Sequence, residues 1–267
     1  MINKIINYIF KPFRLIAKIK LYFKKKNYDK NKYLLSQNEI FSEFNLSREK
    51  GLKKYNEILD NYKFIHDEMS SEHQVFFSSL SLLENFEIKE ILEIGTWDAK
   101  NAFLLSILFK NANIDTIDLK KDHKEFKDFY NRKNKVNEFV KLRDQLISKE
   151  KRIYFKELNS LRLYNYDKKY DLIWIDGAHG YPVVCMDIIN SLKLLNRKGI
   201  IMCDDIFIHK IKSDKMYKSI ASFETLNELK KEDIIDFKLI YKRLDAHNNS
   251  DSNTRKFVAI VKLKNNI

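Results

Sequence analysis

The chain has 267 residues, 44% of them hydrophobic and 33% charged, enough for one α/β domain with appendages and a sizeable core beneath a densely charged surface. Its two cysteines, Cys185 and Cys203, exclude a disulfide framework and read as small buried hydrophobes in a reducing cytoplasm. The net charge of +13 invites nucleic acid or an anionic membrane as a partner, but much of the excess is concentrated at the start of the chain.

Residues 1–26 carry Lys4, Lys11, Arg14, Lys18, Lys20, Lys24, Lys25 and Lys26 and no acid, with Ile2, Ile5, Ile9, Phe13, Ile16 and Leu21 between them. This is a basic amphipathic segment. Its apolar runs are too short and too charged to span a bilayer, and it lacks the apolar stretch and cleavage site of a signal peptide. Peripheral contact with the inner membrane surface fits it; so does a helix docked on its own domain. Residues 27–46 read as a polar connector, which makes 1–46 an N-terminal extension. Ser47 is placed to cap a helix through about His66. Ser70 or Ser71 is placed to cap another, carrying Val75, Phe76, Leu80, Leu83 and Phe86. Together they form a helical lead-in, 47–87, to the domain that fills the rest of 47–267.

From residue 88 the pattern alternates. Ile91–Gly95, Ile114–Asp118, Ile153–Phe155, Tyr170–Asp176 and Ile200–Cys203 are short apolar runs of the kind that form buried parallel strands. Helical spacing separates them: 98–110, a long charged stretch 121–149, and a stretch after Pro182 that ends at Lys198-Gly199. A helix near 215–231 leads to two β-rich runs, Ile234–Tyr241 and Phe257–Leu263, around a polar loop, 245–254, with no helix between them. The expected fold is α/β, with a seven-stranded, mostly parallel sheet, the last strands antiparallel, and helices on both faces. Of five glycines, Gly95, Gly177, Gly180 and Gly199 all fall between 91 and 205, where the backbone needs positive φ or close approach to a ligand.

In such a sheet, ligands bind beyond the carboxyl ends of the strands. Four strand ends carry acids there: Glu93 before Gly95, Asp118, Asp176 before Gly177, and Asp204-Asp205. Carboxylates gathered on one edge repel one another unless ligands or a metal draw them in. Each has a plainer reading: Asp118 as a solvated strand end, the Asp-Asp pair as a turn or helix cap, and His179 as a packing residue.

The turn EIGTWDAKNA (93–102) resembles the first motif of class I S-adenosylmethionine-dependent methyltransferases, in the branch of macrocin-type and caffeoyl-CoA-type O-methyltransferases. Ala99 stands where the third glycine is usual, and Asn101-Ala102 replaces Ser-Thr. YDLIWIDGAHGYPVVCMDI and LLNRKGIIMCDDI resemble the same branch more strongly. The resemblance covers roughly residues 70–263 and implies a Rossmann-like sheet and methyl transfer from S-adenosyl-L-methionine. It places Glu93, Gly95, Thr96, Trp97, Asp118, Asn159, Ser160 and Asp176 at the cofactor, with the Asp118 carboxylate receiving both ribose hydroxyls. It makes Asp176, Asp204 and Asp205 ligands of a divalent cation, for which oxygen donors suit Mg²⁺. The expected chemistry is metal-assisted O-methylation: the cation binds the hydroxyl of a small acceptor, a sugar or glycan precursor among the candidates, and lowers its pKa, while Asp176 and His179, three residues on, form the catalytic pair, His179 assisting as base. The resemblance accommodates a monomer or an oligomer.

Three rivals remain at this point. A nucleic-acid methyltransferase is suggested by the charge, but Asp176-Gly177-Ala178-His179 differs from the Asn/Asp-Pro-Pro-Tyr of amino-methylating enzymes. A nicotinamide-dependent dehydrogenase needs a second fingerprint glycine where Trp97 stands. A non-catalytic scaffold would explain the departures at Ala99 and Asn101.

Overall fold

A computed structural model of the chain describes residues 12–62, 71–130, 136–210 and 219–264. The predicted residues 1–11, the end of the helix through His66, the Ser70 cap, 131–135 and the start of the helix near 215 lie outside the described residues.

Seven strands form one sheet: β1 (Glu90–Ile94), β2 (Asn113–Asp118), β3 (Ile153–Glu157), β4 (Tyr170–Ile175), β5 (Leu195–Ile206), β6 (Ile235–Tyr241) and β7 (Phe257–Leu263), in the order β3-β2-β1-β4-β5-β7-β6. The first five run parallel; β7 lies antiparallel to both β5 and β6. The order reverses between β1 and β4, which puts the switch point of the sheet beside the β1 turn.

Each central strand is apolar on both faces because each face is covered. Alternate residues of β1, β4, β5 and β7 feed two cores. Ile91, Leu172, Trp174, Ile200, Met202, Val258 and Ile260 face one set of helices: α2 (Lys30–Glu43), α3 (Arg48–Tyr62), α4 (Glu72–Leu80) and α5 (Lys100–Leu108). Leu92, Ile173, Ile201, Cys203 and Ala259 face the other, made by α8 (Val183–Leu194) and α9 (Ala221–Lys231).

The predicted stretch 121–149 is two helices, α6 (Lys124–Tyr130) and α7 (Val136–Ile147), and the polar loop 245–254 contains a short α10 (Ala246–Asn249). The expected connector 27–46 is largely helix α2. The Asp29 side chain accepts from the N–H groups of Asn31 and Lys32 and starts it. Phe41 and Leu46 are buried in the same core as α3 and α4, so packing does not divide at residue 46. Before α2, α1 (Pro12–Lys26) anchors its last turn on the 245–254 loop, through Lys24 Nζ to Asp251 Oδ1 at 2.8 Å and Lys25 Nζ to His247 Nδ1 at 2.9 Å. Among the described residues no helix is long and apolar enough to cross a membrane.

The N-terminal helices hold the far end of the sheet. Gln37, fully buried on α2, donates to the carbonyl of Tyr241 at 3.1 Å and accepts from its N–H at 2.8 Å. Ser71 caps α4 in a reciprocal box with Gln74, and the first N–H of α4, on Glu72, donates to the carbonyl of Lys242 at 3.0 Å. Arg48 clamps the Glu72 carboxylate with two bonds of 2.7 and 2.8 Å.

Candidate active site

The β1–α5 turn is wound unusually tightly. Gly95 has φ +99°, and a Cβ there would sit 2.3 Å from the carbonyl oxygen of Asp176, so only glycine lets β4 leave the sheet at this point. Trp97 and Ala99 also have positive φ, 49° and 62°. A non-glycine residue in this region costs on the order of 1–2 kcal/mol. The turn therefore takes a glycine-type path without its usual glycines. Its ties explain how: the Trp97 N–H donates to Asp118 Oδ2 at 3.1 Å, the Ala99 N–H donates to the Thr96 carbonyl at 2.8 Å, and Trp97 packs edge-on against Phe139 of α7.

Under the turn lies Glu93, fully buried. Thr116 donates to its Oε2 at 2.5 Å, Asn101 to its Oε1 at 2.8 Å, and Thr116 in turn meets Thr96 Oγ1 at 2.7 Å. Burial pushes the Glu93 carboxyl up to about 8, against the pull of those two hydrogen bonds. Glu93 thus braces the loop from below. Asn101, which departs from the resemblance, is the side chain that completes the brace.

Asp118, at the end of β2, accepts from the N–H groups of Leu119 (2.7 Å, Oδ1) and Trp97 (3.1 Å, Oδ2), with the Thr96 backbone adding a further contact. Burial raises it to about 6, opposed by those bonds and by Arg143. A carboxylate oxygen has two lone-pair directions, so Asp118 retains capacity to accept from a ribose hydroxyl. Beyond β3, Asn159 caps the 3₁₀ turn Ser160–Asn165 by accepting from the Leu161 N–H at 3.0 Å, and both Asn159 and Ser160 are half-buried. A tight, positive-φ turn after β1 with an acid at the end of β2 beside it fits S-adenosylmethionine.

The ends of β4 and β5 bring the remaining predicted residues together. His179 is buried, its Nε2 3.6 Å from Asp176 Oδ1 and 3.8 Å from Asp205 Oδ2. Burial holds its imidazole below the ordinary value, outweighing the two aspartates Asp205 and Asp204, so it is neutral near pH 7. Desolvation and the adjacent Asp204 push the Asp176 carboxyl well above the usual carboxylate range.

The expected cation set does not form. Lys242, which follows β6, is buried with its ammonium bonded to Asp204 Oδ2 and to Asp205 Oδ1, the latter at 2.6 Å; Lys256 Nζ takes Asp205 Oδ2, also at 2.6 Å. Burial would lower the Lys242 ammonium, but Asp204 and Asp205 hold it above its ordinary value. Burial would raise Asp205, but the ammonium groups of Lys242 and Lys256 hold it far below the carboxylate range. A divalent ion needs those same oxygens at about 2.0–2.1 Å, and an ammonium in contact with them repels it. Among the described residues no group of three His, Cys, Asp or Glu side chains is arranged to hold a metal. Magnesium at Asp176, Asp204 and Asp205 is therefore not what this arrangement fits. Reasoning from sequence missed Lys242 and Lys256, which reach the site from the β6–β7 hairpin.

Comparison with known proteins matches this geometry. A family profile described as a methyltransferase domain covers residues 92–206. No curated protein matches the sequence. Among solved structures, the fold is similar to cofactor-bound Rv0187 from MTB (TM-score 0.55, 16% identity, 81% of this chain and 90% of that one). It is similar to the methyltransferase PaMTH1 of Podospora anserina bound to SAH (0.51, 17%, 81% and 88%). It is also similar to a Staphylococcus aureus protein whose proposed activity is that of a caffeoyl-CoA O-methyltransferase (0.50, 18%, 86% and 98%). With β3-β2-β1-β4-β5-β7-β6 as its sheet and the methyltransferase-domain profile matching residues 92–206, from β1 through β5, the chain has the Rossmann-like fold of class I methyltransferases and carries a methyltransferase domain over that stretch.

Proposed function

We propose that the chain methylates an oxygen of a small hydroxylated acceptor, a sugar or glycan precursor among them. The observation that carries this reading is the neutral, buried His179, held at the strand edge that also carries the cofactor loop, between Asp176 and Asp205.

S-adenosylmethionine, when bound, supplies an electrophilic methyl group on a sulfonium. Gly95, Thr96 and Trp97 provide the backbone against which it lies, Asp118 accepts from its ribose hydroxyls, and Asn159 and Ser160 flank its base. His179 Nε2 receives the proton of the acceptor hydroxyl as the oxygen–carbon bond forms and the sulfur–carbon bond breaks, leaving a neutral thioether. Alignment of the two reactants supplies much of the rate. No step passes through a metal.

Calorimetry with S-adenosylmethionine and with NAD, followed by transfer of a labelled methyl group to a panel of hydroxylated acceptors, tests the reading. It expects binding of the first ligand alone, and kcat lowered about 10²–10⁴-fold in His179→Gln with the cofactor affinity unchanged. NAD binding in place of S-adenosylmethionine, or label found only in nucleic acid, would overturn it.

The exposed face of α1 supports peripheral contact with an anionic membrane at the same time. Ile16, Ile19 and Phe23 are about half exposed and share one side of the helix, with Lys18 and Lys20 beside them. Full-length protein should sediment with vesicles containing phosphatidylserine, and Ile19→Asp with Phe23→Asp should release it. Equal sedimentation of both proteins would end this part of the reading.

A further inference from the structure

Asp204 and Asp205 sit side by side, 2% and 6% exposed, at the end of β5. Two buried carboxylates sharing one site require positive charge. The chain supplies it internally: three of their four oxygens, Asp204 Oδ2, Asp205 Oδ1 and Asp205 Oδ2, are held by the ammonium groups of Lys242 and Lys256.

The lysines are placed by the fold. Lys242 and Lys256 are neighbours across the β6–β7 hairpin, with the Lys242 N–H donating to the Lys256 carbonyl at 3.0 Å. The Lys242 carbonyl is fixed by the first N–H of α4, and the residue before it by Gln37. Both backbone groups of Lys242 are therefore used, and its side chain is directed inward to 4% exposure. Asp205 has φ 54°, a strained position for a non-glycine residue, which the contacts to both lysines offset. Two unit charges replace one double charge, so the site is neutralised as fully as a divalent ion would neutralise it.

We propose that Lys242, seconded by Lys256, is the resident cation of this active site, and that the enzyme accordingly has no affinity for a divalent metal at Asp176, Asp204 and Asp205 and no requirement for one. Lys242 is a positioning residue. It holds Asp205 at His179 and leaves His179 alone to take the acceptor's proton, because an ammonium already bonded to two carboxylates does not act as a Lewis acid toward substrate. The inference rests on the O-methylation reading only for what it says about turnover; the metal affinity is independent of it.

The test uses full-length protein and Mn²⁺, whose binding is read by electron paramagnetic resonance without any substrate. Wild type should show no saturable site that Asp204→Asn removes. Lys242→Met frees the carboxylates and should bind Mn²⁺ at least tenfold more tightly than wild type, an affinity that Asp204→Asn in the same background abolishes. Lys242→Arg should restore the metal-free behaviour. If Lys242→Met fails to fold, Lys256→Met, which removes the more exposed lysine, should show the gain in a smaller degree. Where methyl transfer is measurable, EDTA should leave the wild-type rate unchanged. A Mn²⁺ site in wild type that depends on Asp204, or no gain in either lysine variant, would overturn the proposal. Absence of methyl transfer with the metal pattern intact would count against the proposed reaction instead.

Discussion

Replacing Glu93 by glutamine should stabilise the protein in alkaline solution and leave it unchanged in acid. Glu93 has no exposed surface, and burial raises its carboxyl to about 8 from an ordinary 4.5. Between those two values the folded chain holds a proton that the unfolded chain has released, so stability falls as pH rises and levels off above about 8. The full difference is on the order of 3–5 kcal/mol. The hydrogen bonds tolerate the change. Protonation of Glu93 reverses the Thr116 bond: Oε1 still accepts from Asn101, Oε2 now carries the hydrogen toward Thr116, and Thr116 turns its own toward Thr96; a glutamine amide supplies the same acceptor and donor. Urea unfolding at pH 4, 7 and 8.5 measures it: the two midpoints should nearly coincide at the lowest pH, below the unfolded carboxyl's own value, and separate by about 1 M or more at the highest. Parallel pH profiles for wild type and variant would refute the reasoning, because Glu93 would then be carrying no displaced proton.

Gly95→Ala drives a Cβ to 2.3 Å from the Asp176 carbonyl at a φ of +99°; it should cost on the order of 3 kcal/mol or more and abolish S-adenosylmethionine binding, as thermal unfolding and calorimetry would show. Asp118→Ala should weaken S-adenosylmethionine about 10–100-fold. In wild type the affinity should also drop as pH falls through about 6, where the Asp118 carboxylate gains its proton, and titrations at pH 5 and 7.5 should find that dependence lost in the variant. Phe76, fully buried against Phe41 and Phe44, ties α2 to α4; Phe76→Ala should cost about 3–5 kcal/mol and lower the melting temperature by roughly 10 °C in a scanning calorimeter.

What the sequence revealed followed the physics of burial. β1, β4 and β7 were legible because strands covered on both faces are mostly apolar runs, and β2 was legible from its paired isoleucines, Ile114 and Ile117, ahead of a strand-end acid. β5 begins five residues earlier than its apolar run, since Asn196, Arg197 and Lys198 at its start are not buried. Helix α2 was hidden by its polarity: what makes it a helix is the Asp29 cap and the tertiary anchors Gln37 and Phe41, neither of which leaves a periodic signal. In the site, Asp118, Asp176, His179, Asp204 and Asp205 were legible because they lie within a few residues of strand ends. Lys242 and Lys256 were not. Nothing local separates them from the rest of the 50 lysines and arginines, and their role depends on a hairpin folding back over β5. The expectation of a metal rests on the family resemblance at Asp176, Asp204 and Asp205; the counter-charge comes from 38 residues further along the chain.

Gln37 carries a consequence beyond its own helix. β6 is the last strand of the sheet, and the end of such a strand offers unpaired backbone groups to any extended chain that drifts past. By engaging both polar groups of Tyr241, a single amide side chain imitates one residue of an eighth strand and closes that end against fibrillar growth. The same amide fixes the residue from which Lys242 departs. Protection of the sheet's border and neutralisation of its most highly charged interior therefore share one hydrogen-bonding unit, and a lesion at Gln37 would expose the one while loosening the other.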